Sequence, residues 1–364
     1  MKILHTADWH YGMRHYGIPQ READMYKAGD YVVARAIALK VDAVVLAGDI
    51  FDAPKPAAFT VEVLAQQVRR LRDAGIEVLG IDGNHDTVDG NWLRVCNVTP
   101  LTADRITVVR GISFLGINSM RPSAFKQTLE TAASKISGGV NVLVIHQAIA
   151  EMAGFMTQDI TALEIATVLN KYNTGIKLVL MGDIHNYSEM VIGGIRFIYS
   201  GSIETTASND VPSKSFSIID TDIGGAIKTS YEPVPIRPLY QITLATEADL
   251  DNLVKNMDKY KDGLVIITHE WKDKELGKRA EAVLEGKPFL YRIRTIAKLG
   301  TDDMAAQLSK DTFERSNSLG QLKAAIVAFF EDGSEQFELV TQMLSAPANV
   351  DGIVKQYMAS KGLK

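Results

Sequence analysis

A single cysteine, Cys96, in 364 residues leaves no partner for an internal disulfide, and a reducing compartment needs none. Long apolar runs are missing too: none approaches the roughly 18 residues of a membrane span. The start, Met1-Lys2-Ile3-Leu4-His5, meets a histidine and then an acid where a signal peptide has its apolar core. A cytoplasmic protein with no membrane partner is expected. Positive charge is scarce, with Lys+Arg 39 against Asp+Glu 44 giving −5, which excludes coating nucleic acid by bulk charge but not a local footprint. There is no Gly-x-x-x-x-Gly-Lys-Ser/Thr. The stretch Gly225-Ala226-Ile227-Lys228-Thr229 lacks the glycine before its lysine, so the chain does not hydrolyse ATP through a P-loop. What remains is 46% hydrophobic and 23% charged, an ordinary globular composition with length for two or three domains.

The first 230 residues read as α/β. Short apolar runs stop at polar or glycine clusters, with helical stretches between several of them. Strands are expected over 2–7, 43–47, 77–81, 106–109, 112–117, 141–145, 178–181, 195–199 and 215–219, and helices over 23–39 and 60–72. The stretch Glu232-Pro233-Val234-Pro235-Ile236-Arg237-Pro238 cannot continue a central strand or a helix, and marks a domain boundary. Beyond it a compact βαβαβ unit is expected, with strands over 239–244, 264–268 and 289–296 and helices over 248–259 and 275–284. Three short amphipathic helices follow, over 319–330, 335–344 and 350–359, either completing the fold or docking a partner. Residues 271–300 carry a net +4, which is a solvated face unless something else demands a polyanion.

Chemistry collects where the strands end. Four of the seven histidines sit there beside an acid or amide. Asp8-Trp9-His10 follows the first strand, and residues two apart on an extended segment share a side. Gly48-Asp49-Ile50-Phe51-Asp52 follows a buried run, where an acid is either a helix N-cap or a ligand. Gly83-Asn84-His85-Asp86 combines an amide oxygen, an imidazole and a carboxylate. His146 alone would read as a core histidine, and Gly182-Asp183-Ile184-His185 repeats the two-residue spacing. Together these supply the oxygen and imidazole donors of a two-metal centre. Two ions about 3.5–4 Å apart can clamp the attacking and leaving oxygens of a phosphoryl transfer. Such a pair needs a bridging acid, and Asp49 is the best placed.

This ordered set resembles the calcineurin-like metallophosphoesterases. The forms Ala7-Asp8-Trp9-His10-Tyr11-Gly12, Ala47-Gly48-Asp49-Ile50-Phe51-Asp52 and Tyr199-Ser200-Gly201-Ser202-Ile203-Glu204 are similar to those of the SbcD nucleases within it. The resemblance implies an α/β fold: a β-sandwich flanked by helices, with a small βαβαβ capping domain and a C-terminal helical segment. It implies one metal on Asp8, His10, Asp49 and His185, and a second on Asp49, Asn84, His146 and position 183. His85 would be the general acid, oriented by Asp86. The implied partners are DNA, an SbcC-type ATPase with a coiled coil, and a second copy of the chain in a homodimer.

Position 183 departs from the family, which usually shows histidine there. The segments Val44–Ile50 and Leu178–Ile184 nevertheless share one strand-Gly-Asp-Ile form, so Asp183 is expected to ligate as Asp49 does. Three carboxylates make a hard site that favours two manganese ions, or magnesium, over zinc. The expected division is 1–235 for the nuclease domain, 236–300 for the capping, DNA-contact domain and 301–364 for the segment that docks the ATPase. Gly201 and Ser202 are expected near a phosphate, and Lys278, Arg279, Arg292 and Arg294 against DNA. Trp9 and Tyr11 either stack on a base or pack in the core. The leading expectation is a metal-dependent DNA exo- and endonuclease subunit acting at DNA ends. A small-molecule or phosphoprotein phosphoesterase and a catalytically weak end-binding scaffold are the alternatives.

Overall fold

Successive side chains of an extended strand point to opposite faces, so a strand that is apolar throughout must have two cores to fill. The run Ala43–Ala47 does so: Val44 and Leu46 enter one core, Val45 and Ala47 another. In the computed structural model, which describes residues 1–86, 92–136, 139–153, 160–207, 213–222, 226–270, 274–285, 287 and 290–296, this pattern builds a layered α/β sandwich. One sheet is made of β1 (Lys2–Thr6), β2 (Ala43–Ala47), β3 (Glu77–Ile81), β4 (Thr99–Pro100), β11 (Lys214–Thr221) and β12 (Ile227–Val234), in the order β12-β11-β1-β2-β3-β4. The other is made of β5 (Thr107–Val109), β6 (Ile112–Ile117), β7 (Val142–His146), β8 (Leu178–Gly182), β9 (Ser188–Ile192) and β10 (Ile195–Tyr199), in the order β5-β6-β7-β8-β10-β9.

The sheets share a core of Ile3, Val45, Leu79, Phe114, Val144, Leu180 and their neighbours. Helices α1 (Pro19–Ala38) and α2 (Ala58–Asp73) cover the outer face of the first sheet through a second core. In α2 the buried positions Thr60, Leu64, Gln67, Val68 and Leu71 recur at helical spacing and make one stripe. On the second sheet α4 (Pro122–Lys135) and α6 (Ala162–Lys171) do the same, and α6 starts at a capping box between Thr161 and Glu164. The short helices α3 (Trp92–Val95) and α5 (Ala150–Ala153) complete this part.

Three strands outside the expected set, β4, β9 and β12, lie at sheet edges. β12 runs through Pro233, which pairs with Ser215; an edge strand tolerates the missing N–H. After Pro238 the chain makes a parallel sheet of β13 (Leu239–Leu244), β14 (Leu264–Glu270) and β15 (Leu290–Ile296). Helices α7 (Glu247–Lys255) and α8 (Lys274–Leu284) pack on one of its faces over a separate core of Leu244, Leu250, Val265, Ile267 and Ala280. The helices expected after residue 318 lie outside the described residues. No helix among the described residues is long and apolar enough to cross a membrane.

His5 follows the strand alternation into the core between the sheets, with Ile3 and Ala7 on the same side of the chain. It is fully buried, and its ring nitrogens make no hydrogen bond of normal geometry. Burial lowers its pKa to about 3, a weak interaction with the Met181 backbone offsetting only part of this. The folded chain therefore refuses a proton that the unfolded chain accepts near pH 6.5, so stability falls with pH between about 6.5 and 3. His5→Leu is expected to flatten that acid limb by about 1.4 kcal/mol per pH unit, read from urea unfolding at several pH values.

Candidate metal centre

The chain turns sharply where its central strands end. Asp8 and His10 after β1, Asp49 after β2 and Asp183 after β8 all take left-handed backbone angles, with φ of 55°, 45°, 52° and 99°. Each such residue costs about 1–3 kcal/mol unless its surroundings hold it. Here the first two strand ends lock together: the Asp8 N–H donates to the Gly48 carbonyl at 3.0 Å, His10 to Asp49 at 3.1 Å and Tyr11 to Ile50 at 2.9 Å. Two glycines permit the closeness. A Cβ on Gly48 would collide with the His146 ring, and one on Gly83 with the backbone and side chain of Asp49.

The strand ends bring seven predicted residues together. Asp8, His10 and His185 offer donor atoms within 4.8 Å of one another, and the two Nε2 atoms of His10 and His185 stand 3.3 Å apart. Asp8, Asp49 and His146 make a second such group. His146 Nε2 lies 3.1 Å from Asn84 Oδ1, 3.5 Å from Asp49 Oδ2 and 3.9 Å from Asp183 Oδ1, so Asp49 and Asp183 approach the same nitrogen. The Asp183 N–H donates to the Asp8 carboxylate at 3.1 Å. Asp8 belongs to both groups, whereas Asp49, the expected bridging acid, belongs to the second alone.

The rings are aimed from behind. His146 Nδ1 is 2.8 Å from the Ala47 carbonyl, which can only accept, so that nitrogen carries a hydrogen and Nε2 faces the acids. His185 Nδ1 contacts Thr206 Oγ1 at 2.6 Å, and Asp52 Oδ1 lies 3.3 Å from His10 Nδ1. Neither Thr206 nor Asp52 was expected to contribute. Asp52 was visible as the last residue of its motif; Thr206 carries no sequence signal, because it is one hydroxyl in a polar loop.

Charge shows what the cluster is suited to hold. Burial pushes the Asp8 carboxyl up to about 7; His146 and His10 oppose the rise, and Asp49 and Asp183 add to it. Burial would raise Asp49 as well, but the charge and hydrogen bond of His146 outweigh it and hold it below the ordinary carboxylate range. His146 rises to about 10, its own burial overcome by Asp49, Asp8 and Asp183. Asp183 is raised by burial, His146 opposing. Left to itself, the chain balances these acids with protons on imidazoles. Crowded carboxylates and imidazoles of this kind fit divalent cations, whose uptake releases such protons.

Asp86 does not occupy the place expected of it. Its buried carboxylate accepts the backbone N–H groups of Gly83 at 2.9 Å, Phe51 at 2.9 Å and Ile50 at 3.2 Å. It is the Asp52 carbonyl, 2.8 Å from His85 Nδ1, that orients His85, while the His85 N–H donates to Asp49 Oδ1 at 2.8 Å. Asp86 therefore binds the third strand end to the second. Asp86→Ala is expected to leave three buried donors unpaired and to cost about 3 kcal/mol or more in urea unfolding, with Asp86→Asn losing less.

The residues expected against DNA divide differently. Ser202 is buried, its hydroxyl donating to the Glu204 carbonyl at 2.9 Å and its N–H to the His185 carbonyl at 3.1 Å, so neither is left for a phosphate. Gly201, also buried, has φ 77° and lets the chain pass the backbone of His185 and Tyr187. Both support His185 from behind. Lys278 and Arg279 are exposed on α8, where Arg279 pairs with Glu247. Arg292 and Arg294 are exposed on β15, on the face opposite the one that α7 and α8 cover with Tyr291 and Ile293. The sheet separates the two pairs. Trp9 and Tyr11 are buried and hydrogen-bonded, Trp9 to Thr6 Oγ1 and Tyr11 to Gln67, and so they pack in the core.

This fold and its donor cluster define a class. Residues 1–224 match the calcineurin-like phosphoesterase superfamily domain, and the chain belongs to that superfamily. Among individual proteins, it is 31% identical over 258 residues to the DNA double-strand break repair protein Mre11 of Methanosarcina mazei, covering 68% of this chain and 40% of the relative. It is 29% identical over 276 residues to the Haloferax volcanii protein of the same name, covering 73% and 60%. Over 88 residues it is 36% identical to the SbcD component of the nuclease SbcCD of Escherichia coli, covering 24% and 22%. The chain thus spans about half the length of the first two relatives.

Proposed function

We propose that this chain is a metal-dependent DNA nuclease subunit that hydrolyses phosphodiester bonds at DNA ends and works with an SbcC-type ATPase. The observation that carries the reading is the convergence of Asp8, His10, Asp49, His146 and His185 from the ends of four strands, β1, β2, β7 and β8, onto two donor groups that share Asp8, with Asp183 3.9 Å from His146 beside them. The relatives named for break repair and nuclease action, aligned over 68% and 73% of the chain, support DNA as the substrate.

In this reading Asp8, His10, Asp49 and His185 hold one ion, and Asp49, Asn84, His146 and Asp183 the other, with manganese favoured by three carboxylates. When bound, the ions supply charge that offsets the phosphodiester oxygens and lowers the pKa of an attacking water. The chain itself positions and protonates. His85, held at Nδ1 by the Asp52 carbonyl, offers Nε2 to the leaving sugar oxygen as general acid. Residues 1–235 form the nuclease domain and 236–300 a capping domain that contacts DNA, while 301–364 dock the ATPase. Two copies pair as a homodimer.

End-labelled linear duplex DNA with manganese is expected to be degraded and a closed circular duplex spared, with activity lost at least a hundredfold in Asp49→Ala. Hydrolysis of small phosphate monoesters without cleavage of DNA would favour the small-substrate alternative. Asp183→His is expected to shift the preference from manganese toward zinc when activity is titrated with each metal. An unchanged preference would remove Asp183 from the donor set.

A further inference from the structure

Among the described residues the largest fully buried charged side chain is Arg21, in the first turn of α1, with none of its surface exposed. Its guanidinium is shared between two directions. Nη1 donates to Asp24 Oδ2 at 2.8 Å, while Nη2 donates to Glu204 Oε1 at 3.0 Å, to Thr205 Oγ1 at 2.8 Å and to the Thr205 carbonyl at 3.1 Å. Asp24 is in turn gripped by Arg237, whose Nε and Nη2 donate to its two oxygens at 2.7 and 2.9 Å. The remaining Arg237 donor, Nη1, reaches the Asp262 carbonyl at 2.7 Å, just before β14 of the three-stranded sheet. At the other end of the path, Thr206 follows Thr205 directly and contacts His185 Nδ1.

The quartet is balanced, with two guanidiniums against two carboxylates, and most of it is removed from water. A partner lost from a buried charged network costs more than the pair contributes, because the other charge stays buried and uncompensated. If Arg237 withdrew with the three-stranded unit, Asp24 and Glu204 would compete for one guanidinium. Arg21 could then no longer hold Asp24 and the Glu204–Thr205 segment equally, and Thr206 would loosen against His185.

We propose that Arg21, Asp24 and Arg237 couple the three-stranded unit to the metal centre, with Arg21 as a positioning residue for His185 and Arg237 as the contact through which the unit acts. This rests on the reading of His185 as a metal ligand. The path is contiguous from Asp262 to His185, and it meets the centre from behind the ring, where the partner of a ligand histidine fixes its orientation.

The test uses the full chain and two readouts. In the metal-free protein, Arg237→Ala is expected to speed hydrogen–deuterium exchange across residues 202–206, whose amides at Ser202 and Thr205 are hydrogen-bonded in the intact network. In a manganese titration followed by electron paramagnetic resonance, the same variant is expected to bind about tenfold more weakly, with Arg237→Lys recovering part of the loss by restoring charge balance. Arg35→Ala is the control: it removes a comparable ion pair from α1 to Glu232 on β12 that lies off the path. Unchanged exchange at 202–206 in Arg237→Ala would overturn the proposal, and so would an equal loss of affinity in Arg35→Ala, which would mark general destabilisation. Faster exchange with no manganese uptake even by the unmodified chain would overturn the metal reading of His185 and leave the coupling standing.

Discussion

Three carboxylates forced into one place are the constraint from which the rest of this structure follows. Asp8 and Asp49 are buried, and Asp183 stands beside them at the mouth of the cluster. Like charges so close repel, and burial deprives them of the water that would screen them. They remain because the strands beneath are fixed on both faces by separate cores, which leaves the strand ends no freedom to separate. Left-handed angles at Asp8, His10, Asp49 and Asp183 store part of the strain, and cross-strand hydrogen bonds hold it.

The same constraint explains why so many supporting atoms belong to the backbone. A side chain that holds an imidazole can itself rotate, whereas the carbonyl of Ala47 is set by β2 and that of Asp52 by a backbone whose N–H is held by the Tyr11 carbonyl. Asp86 turns the principle round, since its carboxylate collects three backbone donors and fixes one strand end against another. The positions of the donors are thus inherited from the sandwich.

Much of the centre was legible because parallel strands buried on both faces display function only at their ends, and there the residues Asp8, His10, Asp49, Asn84, His85, His146, Asp183 and His185 stand in short recognisable groups. The supporting atoms were not, since a carbonyl has no letter in the sequence and Thr206 is one hydroxyl among several. Ser202 misled for a related reason: a hydroxyl beside a glycine suggests a phosphate contact, and only the fold shows that both its polar groups are already used. Counting charges over residues 271–300 could not tell which cations share a side. The two-residue spacing of Arg292 and Arg294 does place those two together, but α8 lies across the sheet from them. The edge strands β4, β9 and β12 are not legible because short or half-exposed strands carry a weaker apolar signal than central ones.

The departure at position 183 follows from the division of labour between backbone and side chain. The Asp183 N–H holds the Asp8 carboxylate, a task that any residue except proline performs. The side chain is therefore free of structural duty toward Asp8, and its chemistry can vary without moving the first strand end. Asn84, by contrast, lies between Gly83, which admits no Cβ, and His85, whose backbone is hydrogen-bonded to Asp49, so the backbone carrying its side chain is fixed on both sides. A carboxylate in place of an imidazole at 183 thus changes the charge around the second donor group while the geometry stays where the strands put it.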